Sequence, residues 1–129
     1  MKKMSLALLL AGAIFLAGCQ GPFMSTNVVS TQTIPGGIVL FYGDTCPHCA
    51  VVRKFLDDNK ISDKVQFTEA EVYENQNNAN LMSQIALQKC GFKTGDQVGV
   101  PFLWDGPDSK CVVGDVDAIA FFKDKAGIK

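Results

Sequence analysis

The chain has 129 residues, of which 47% are hydrophobic and 19% are charged, with five cysteines and a formal net charge of −1. This length excludes a multidomain enzyme, and the ordinary apolar fraction excludes disorder along the whole chain. After the first 18 residues the net charge is −3, from ten basic and thirteen acidic side chains, so we expect no nucleic-acid partner.

The first 18 residues have the pattern of an export signal. Lys2 and Lys3 precede an apolar run at residues 4–15, which is shorter than the roughly 20 apolar residues that a membrane-spanning helix needs. Residues 16–19, Leu-Ala-Gly-Cys, resemble the lipobox of bacterial lipoproteins. This resemblance implies a lipidated Cys19 and an extracytoplasmic protein anchored to a bacterial cell membrane. The alternative is an ordinary signal peptide or an uncleaved anchor, in which Cys19 has no role.

A flexible tether is predicted to follow Cys19 and to reach residue 37. Residues 20–37 are uncharged and rich in serine, threonine, glycine and proline, which is typical of a linker rather than a packed element. The folded domain is therefore predicted to span residues 38–129.

Strand and helix patterns alternate in the predicted domain, in the order β-α-β-α-β-β-α. The strands are predicted at residues 38–42, 65–72, 100–104 and 110–113. The first helix opens at Pro47, the second covers residues 74–90, and the third is capped by Asp115 or Asp117. The apolar face of the first helix consists of Val51, Val52, Phe55 and Leu56, and that of the last consists of Val116, Ile119, Ala120 and either Phe121 or Phe122. This order predicts an α/β domain in which helices cover both faces of a four-stranded mixed sheet.

The motif Cys46-Pro47-His48-Cys49 lies between the first strand and the first helix. Cysteines at positions i and i+3 share one face of a helix and lie close enough for a disulfide. Because a helix N-terminus favours a thiolate, we expect Cys46 to be the exposed attacking sulfur and Cys49 the more buried resolving sulfur. Pro47 fixes the entry to the helix. A protonated His48 adds positive charge beside Cys46, unless His48 is only a solvated surface residue.

Two alternative interpretations of this motif, a zinc site and a structural disulfide, have less support in the sequence. A Cys-x-x-Cys pair can be half of a zinc site, but the sequence has no second such pair, so we expect no metal and no organic cofactor. A purely structural disulfide across four residues constrains little of the unfolded chain.

With its strand-motif-helix setting, the segment 41–49 resembles the thioredoxin superfamily, and the domain is most similar to a glutaredoxin in size and element order. Val100-Pro101 and, more weakly, residues 113–117 carry the rest of the resemblance. It implies a thioredoxin-like fold in which Pro101 is cis and lies against the cysteine pair. It also implies that the Val100 backbone binds a polypeptide substrate, and we place Tyr42 with it as a candidate substrate-binding residue. In glutaredoxins that bind glutathione a Gly-Gly pair precedes the last helix, and Val113 replaces one of these glycines.

Cys90 and Cys111 remain when Cys19 is lipidated and Cys46 pairs with Cys49. In a protein outside the cytoplasm, an even number of remaining cysteines favours a second, structural disulfide. The alternatives are two buried thiols, or a relay in which one of these cysteines exchanges with the motif.

These observations predict a monomeric, membrane-tethered, extracytoplasmic thiol–disulfide oxidoreductase that oxidises or exchanges disulfides of exported proteins. Its expected catalytic residues are Cys46, Pro47, His48, Cys49 and Pro101. A membrane redox partner, for which a quinone-linked oxidase is one candidate, would reset the cysteine pair. The second hypothesis is a non-enzymatic lipoprotein module that binds a metal ion or a peptide.

Overall fold

The computed structural model describes residues 31–129, so the predicted signal segment and Cys19 lie outside the described residues. The elements are β1 (Ile38–Tyr42), α1 (Pro47–Asp58), a short 3-10 helix (Ile61–Asp63), β2 (Phe67–Glu71), α2 (Gln76–Lys89), β3 (Phe102–Asp105), β4 (Lys110–Val113) and α3 (Asp115–Ala126). This sequence of elements confirms the predicted order. Of the helices in residues 31–129, none is both long and apolar enough to cross a bilayer.

The four strands form one mixed sheet in the order β2-β1-β3-β4. β1 runs parallel to β2 and antiparallel to β3, and β3 forms an antiparallel hairpin with β4. The crossover through α1 explains the parallel pair, because parallel neighbours cannot be joined by a tight turn. β1 and β3 lie in the centre, which explains why all residues of β3 are buried and why β1 is apolar throughout.

Helices cover both faces of the sheet, so the fold is thioredoxin-like, as predicted. On one face, α1 contributes Val52 and Leu56 to a core that it shares with α3. On the other face, α2 contributes Met82 and Ile85 to a second core, which contains the Trp104 side chain of β3.

The predicted apolar faces of α1 and α3 are partly wrong. Val51 and Val116 are exposed, whereas the buried residues of α3 are Ala118, Phe121 and Phe122. These three residues are spaced i, i+3, i+4, as one helix face requires. The predicted side-chain cap is also wrong: Gly114 is the N-cap residue, at φ 95°, and no side chain caps this helix. The buried face of α3 is the one that packs in the core shared with α1, and Val116 lies off that face.

Residues 32–37 pack against the domain, so the prediction of a flexible tether is wrong for them. The Gln84 side chain of α2 exchanges two hydrogen bonds with the Gln32 backbone, at 2.9 and 2.7 Å. The indole N–H of the buried Trp104 donates to the Pro35 carbonyl oxygen at 2.8 Å. A buried indole needs an acceptor, and this segment supplies one. The rest of the predicted tether lies outside the described residues.

Candidate active site

The end of β1 and the start of β3 lie side by side at one edge of the sheet. The antiparallel register pairs Phe41 with Phe102. Cys46 follows β1 after a short turn, and Pro101 immediately precedes β3. The topology therefore brings together the two parts of the sequence that carry the predicted site.

Cys46 is the N-cap residue of α1, and Pro47 occupies the first helical position. The Cys46 sulfur accepts a hydrogen bond from the Cys49 backbone N–H at 3.2 Å, so it satisfies one of the N–H groups that a helix start leaves unpaired. The Cys49 thiol also donates to Cys46, with the two Sγ atoms 2.6 Å apart. Only a small movement of the two side chains is needed to form a disulfide.

Both sulfurs are buried, which contradicts the prediction of an exposed Cys46. Cys46 is 7% exposed and Cys49 is 1% exposed, so the predicted ranking holds although the predicted exposure does not. Burial, followed by the hydrogen bond with Cys46, raises the pKa of the Cys49 thiol to about 12. Cys49 therefore stays protonated at neutral pH and acts as a donor to Cys46. This asymmetry leaves Cys46 as the sulfur able to attack.

The segment Val100-Pro101 faces the Cys46 sulfur. The peptide bond between these two residues is cis, and the Pro101 side chain is fully buried. As a thiol, Cys46 donates to the Val100 carbonyl oxygen at 3.6 Å. The Pro101 carbonyl oxygen accepts from the Gly114 backbone N–H at 2.9 Å, which ties this segment to the start of α3. The proline loop is therefore held from both sides, by α1 and by α3.

His48 links the starts of α1 and α3. Its Nδ1 atom lies 3.2 Å from the Asp115 carboxylate, although the imidazole is largely exposed. The hydrogen bond from His48 is the main cause of a lowered pKa at Asp115. From the sequence, Asp115 is predicted only to cap α3 and to belong to the weakly similar segment 113–117. Its pairing with His48 depends on the sheet order, which places α3 beside α1.

Asp115→Asn is expected to lower Tm near pH 5, and this effect is expected to become smaller as the pH falls below the unfolded-state pKa. A carboxyl whose pKa is lowered in the folded state stabilises the protein above its unfolded pKa of about 3.9. That contribution disappears as the pH falls through the folded-state value, and thermal unfolding across this pH range measures it. Asp117→Asn is the control, because Asp117 lies in the same helical turn and forms no ion pair within residues 31–129. Identical pH profiles for the two variants would contradict the role of the His48 contact.

Tyr42 contacts a neighbour on α1. The Arg53 guanidinium lies 4.6 Å from the centre of the Tyr42 ring, and Arg53 also pairs with Glu69 at 3.2 Å. Among the hydrogen bonds of the described residues, none joins the Tyr42 side chain to Cys46 or Val100. Substrate binding by Tyr42 stays a prediction.

Tyr73, which no sequence pattern predicts, lies against the turn that precedes the motif. It follows β2, and its ring lies so close to Gly43 that a Cβ atom there would overlap it. Gly43 in turn lies in the turn before Cys46, where its carbonyl oxygen accepts from the Cys46 backbone N–H at 3.1 Å. No local pattern marks this tyrosine, because it reaches this turn only through the parallel pairing of β1 with β2.

Cys90 and Cys111 form a disulfide in the structure, with their Cα atoms 5.8 Å apart. The bond joins the C-terminal end of α2 to β4, where Cys111 pairs with Trp104. Trp104 lies towards the far end of β3 from Pro101, so this disulfide does not contact Cys46. In residues 31–129, no group of three or more His, Cys, Asp or Glu side chains is placed to hold a metal ion.

The fold and this site define a class: a thioredoxin-like domain with a Cys-x-x-Cys pair at the start of α1, opposite a cis-proline. Three similar solved structures are glutaredoxins. Wheat glutaredoxin is 23% identical, with 70% of this chain and 73% of that chain covered, at a TM-score of 0.47. Oxidised glutaredoxin 2 from Chlamydomonas reinhardtii is 18% identical, with 71% of this chain and 83% of that chain covered, at a TM-score of 0.44. A mutated buckwheat glutaredoxin is 16% identical, with 78% of this chain and 86% of that chain covered, at a TM-score of 0.45. No protein-family model and no curated protein matches the sequence.

Proposed function

We propose that this protein is a thiol–disulfide oxidoreductase in which Cys46 and Cys49 form the redox couple. The observation that carries the proposal is the pair of sulfurs 2.6 Å apart at the start of α1, with Cys46 hydrogen-bonded to the Val100 carbonyl oxygen. A protonated Cys49 behind a less buried Cys46 gives the two sulfurs different tasks, as sequential exchange requires.

Exchange proceeds through a mixed disulfide. The Cys46 thiolate attacks one sulfur of a substrate disulfide, and the second substrate sulfur leaves as a thiolate and takes up a proton. Cys49 then gives up its proton to water and attacks the Cys46 sulfur, which releases the first substrate sulfur. The substrate gains two electrons and two protons, and the protein is left with a Cys46–Cys49 disulfide.

We assign the reverse direction, oxidation of dithiols in exported proteins, as the working one. The position of Cys46 at the N-terminus of α1, within the Cys-Pro-His-Cys motif, supports this direction, because a helix N-terminus stabilises an anionic sulfur more than a disulfide sulfur. This direction needs an electron acceptor that restores the disulfide after each cycle. A membrane redox partner that passes two electrons to a quinone supplies that step. The lipobox resemblance at residues 16–19 supports a lipid anchor at Cys19, which would keep the domain beside such a partner.

The test combines a redox titration with a transfer assay. The reduction potential of the Cys46–Cys49 pair is measured against glutathione, and the oxidised domain is mixed with reduced, unfolded ribonuclease A. We expect one disulfide to be transferred per domain, with Cys46 and Cys49 recovered as thiols. Two results would contradict the proposal: failure of the pair to oxidise in oxidised glutathione, or stoichiometric zinc that protects both cysteines from alkylation. Zinc protection would support the non-enzymatic metal-binding module, and peptide binding without any transfer would support a peptide-binding one.

A further inference from the structure

The segment at residues 97–101, which leads into β3, has two hydrogen bonds in the part of the chain that the structure describes. The Val100 carbonyl oxygen accepts from the Cys46 thiol at 3.6 Å, and the carbonyl oxygen of the next residue accepts from the Gly114 N–H at 2.9 Å. The Val100 side chain is only partly buried, against the core on the α2 side. These two hydrogen bonds therefore do most to fix the Val100 backbone beside the sulfur.

The hydrogen bond to Val100 requires a proton on the Cys46 sulfur. A thiol donates a hydrogen bond, whereas a thiolate and a disulfide sulfur carry no proton and cannot donate one. The thiolate and the disulfide are the forms that take part in exchange. In both forms, of the two hydrogen bonds, only the one from the Gly114 N–H still holds the segment. The position of Val100 relative to the sulfur then depends on how the start of α3 is held against the start of α1.

The ion pair of His48 with Asp115 holds the start of α3 against the start of α1. Among the ion pairs of residues 31–129, it is the one that joins these two helices, with Nδ1 3.2 Å from the carboxylate. The large apolar side chains that α1 and α3 bury together lie beyond the first turn of each helix. Asp115 directly follows Gly114, so the ion pair acts one residue away from the N–H that holds Pro101.

We propose that Asp115 is a positioning residue that, through its ion pair with His48, keeps the segment before β3 in place when the sulfur of Cys46 carries no proton. This inference rests on the proposed redox function, in which the Val100 backbone binds the polypeptide substrate. Asp115 therefore sets the affinity of the oxidised protein for a reduced polypeptide. The imidazole of His48 is 69% exposed, and exposed ion pairs contribute little, so its loss weakens binding a few-fold and does not abolish it.

Asp115→Ala removes the ion pair, and NMR follows the hydrogen exchange of the Gly114 amide. Oxidised and reduced protein, both with the Cys90–Cys111 disulfide intact, are compared at one pH below the midpoint of Cys46 alkylation, so that the reduced sulfur is a thiol. We expect Gly114 exchange to become about twofold to fivefold faster in the oxidised variant, as loss of an exposed ion pair predicts. The change should be smaller in the reduced variant, because the thiol still donates to the segment.

A transfer assay measures the consequence for the substrate. With oxidised protein and reduced, unfolded ribonuclease A, the concentration that gives the half-maximal transfer rate should rise about twofold to fivefold in Asp115→Ala. The maximal rate should be unchanged, because Asp115 pairs with His48 and lies outside the hydrogen bonds of the two sulfurs. His48→Ala should accelerate Gly114 exchange equally, and the double variant should add nothing further.

Asp117→Ala is the matched control, because Asp117 lies in the same helical turn and shares the effect of the helix N-terminus, but forms no ion pair within residues 31–129. It should change neither measurement. Asp115→Glu keeps a carboxylate and should restore most of the wild-type behaviour.

Three results would overturn parts of the proposal. Wild-type Gly114 exchange in oxidised Asp115→Ala would overturn the positioning role, and equal acceleration in both redox states would overturn its dependence on the proton of the sulfur. An unchanged half-maximal concentration of ribonuclease A would overturn the role in substrate binding. Gly114 exchange needs no substrate, so it reports on Asp115 even if ribonuclease A is not oxidised, and failure of the proposed function is recognised separately.

Discussion

Cys46→Ser is expected to reduce disulfide exchange to the rate of buffer alone, whereas Cys49→Ser should retain the first attack. The serine hydroxyl at position 46 cannot replace a thiolate at neutral pH, so no mixed disulfide forms. With Cys49 replaced, the mixed disulfide forms at Cys46 but has no internal sulfur to resolve it. Non-reducing gels and intact mass should therefore show substrate adducts that accumulate only in the Cys49→Ser protein.

The matched control for these variants is the double variant Cys90→Ser, Cys111→Ser, because it also replaces cysteine by serine, leaves no new free thiol and lies outside the contacts of the Cys46 sulfur. It should exchange disulfides through Cys46 at temperatures where the domain stays folded. Adducts of equal yield in Cys46→Ser and Cys49→Ser would show that the two sulfurs do not have the different roles assigned to them. The pKa of about 12 at Cys49 also predicts that iodoacetamide modifies Cys46 first in the reduced wild type at pH 8.

Replacing Cys90 and Cys111 together by alanine is expected to lower the free energy of unfolding by about 3 kcal/mol. The two cysteines are 21 positions apart, so their disulfide closes a substantial loop and restricts the unfolded chain. For a domain of this size, that loss corresponds to a decrease in Tm of about 15 °C. Thermal and denaturant unfolding of the double variant against oxidised wild type measures it.

The control for the stability measurement is the double variant Cys46→Ala, Cys49→Ala. In the wild type, Cys46 and Cys49 are separated by only three positions, so a disulfide between them restricts the unfolded chain less than the Cys90–Cys111 disulfide does. Wild-type protein treated with a strong reductant should unfold like the Cys90, Cys111 double variant. A difference under about 1 kcal/mol between oxidised wild type and that variant would mean that the disulfide adds little to the fold.

Local sequence patterns were sufficient to predict most of the strands and helices. The apolar run at residues 38–42 and the proline at position 47 predict a buried strand and a helix start, and both are observed. The i, i+3 spacing predicts that Cys46 and Cys49 lie on the same side of α1, because helix geometry alone determines it. The hairpin of β3 and β4 follows from the turn residues between them.

Features that depend on how elements pack were not predictable from those patterns. Cys46 is buried and contacts the Val100 carbonyl oxygen before β3, which lies 54 positions away, so no window of sequence contains both. The pairing of His48 with Asp115 likewise requires α3 to lie beside α1. The buried face of α3 differs from the predicted one because packing in the core shared with α1, which the local spacing does not contain, buries Ala118, Phe121 and Phe122. Long-range packing decided each of these details.

The Cys90–Cys111 disulfide links the lifetime of the protein to the redox state around it. A strong reductant opens this bond, so the domain is expected to lose much of its stability under reducing conditions. The population of unfolded chains rises about a hundredfold for each 3 kcal/mol lost, and unfolded chains are what proteases degrade. Reducing conditions are therefore expected to raise the rate at which proteases degrade the domain, and the oxidised domain is expected to be the more resistant form.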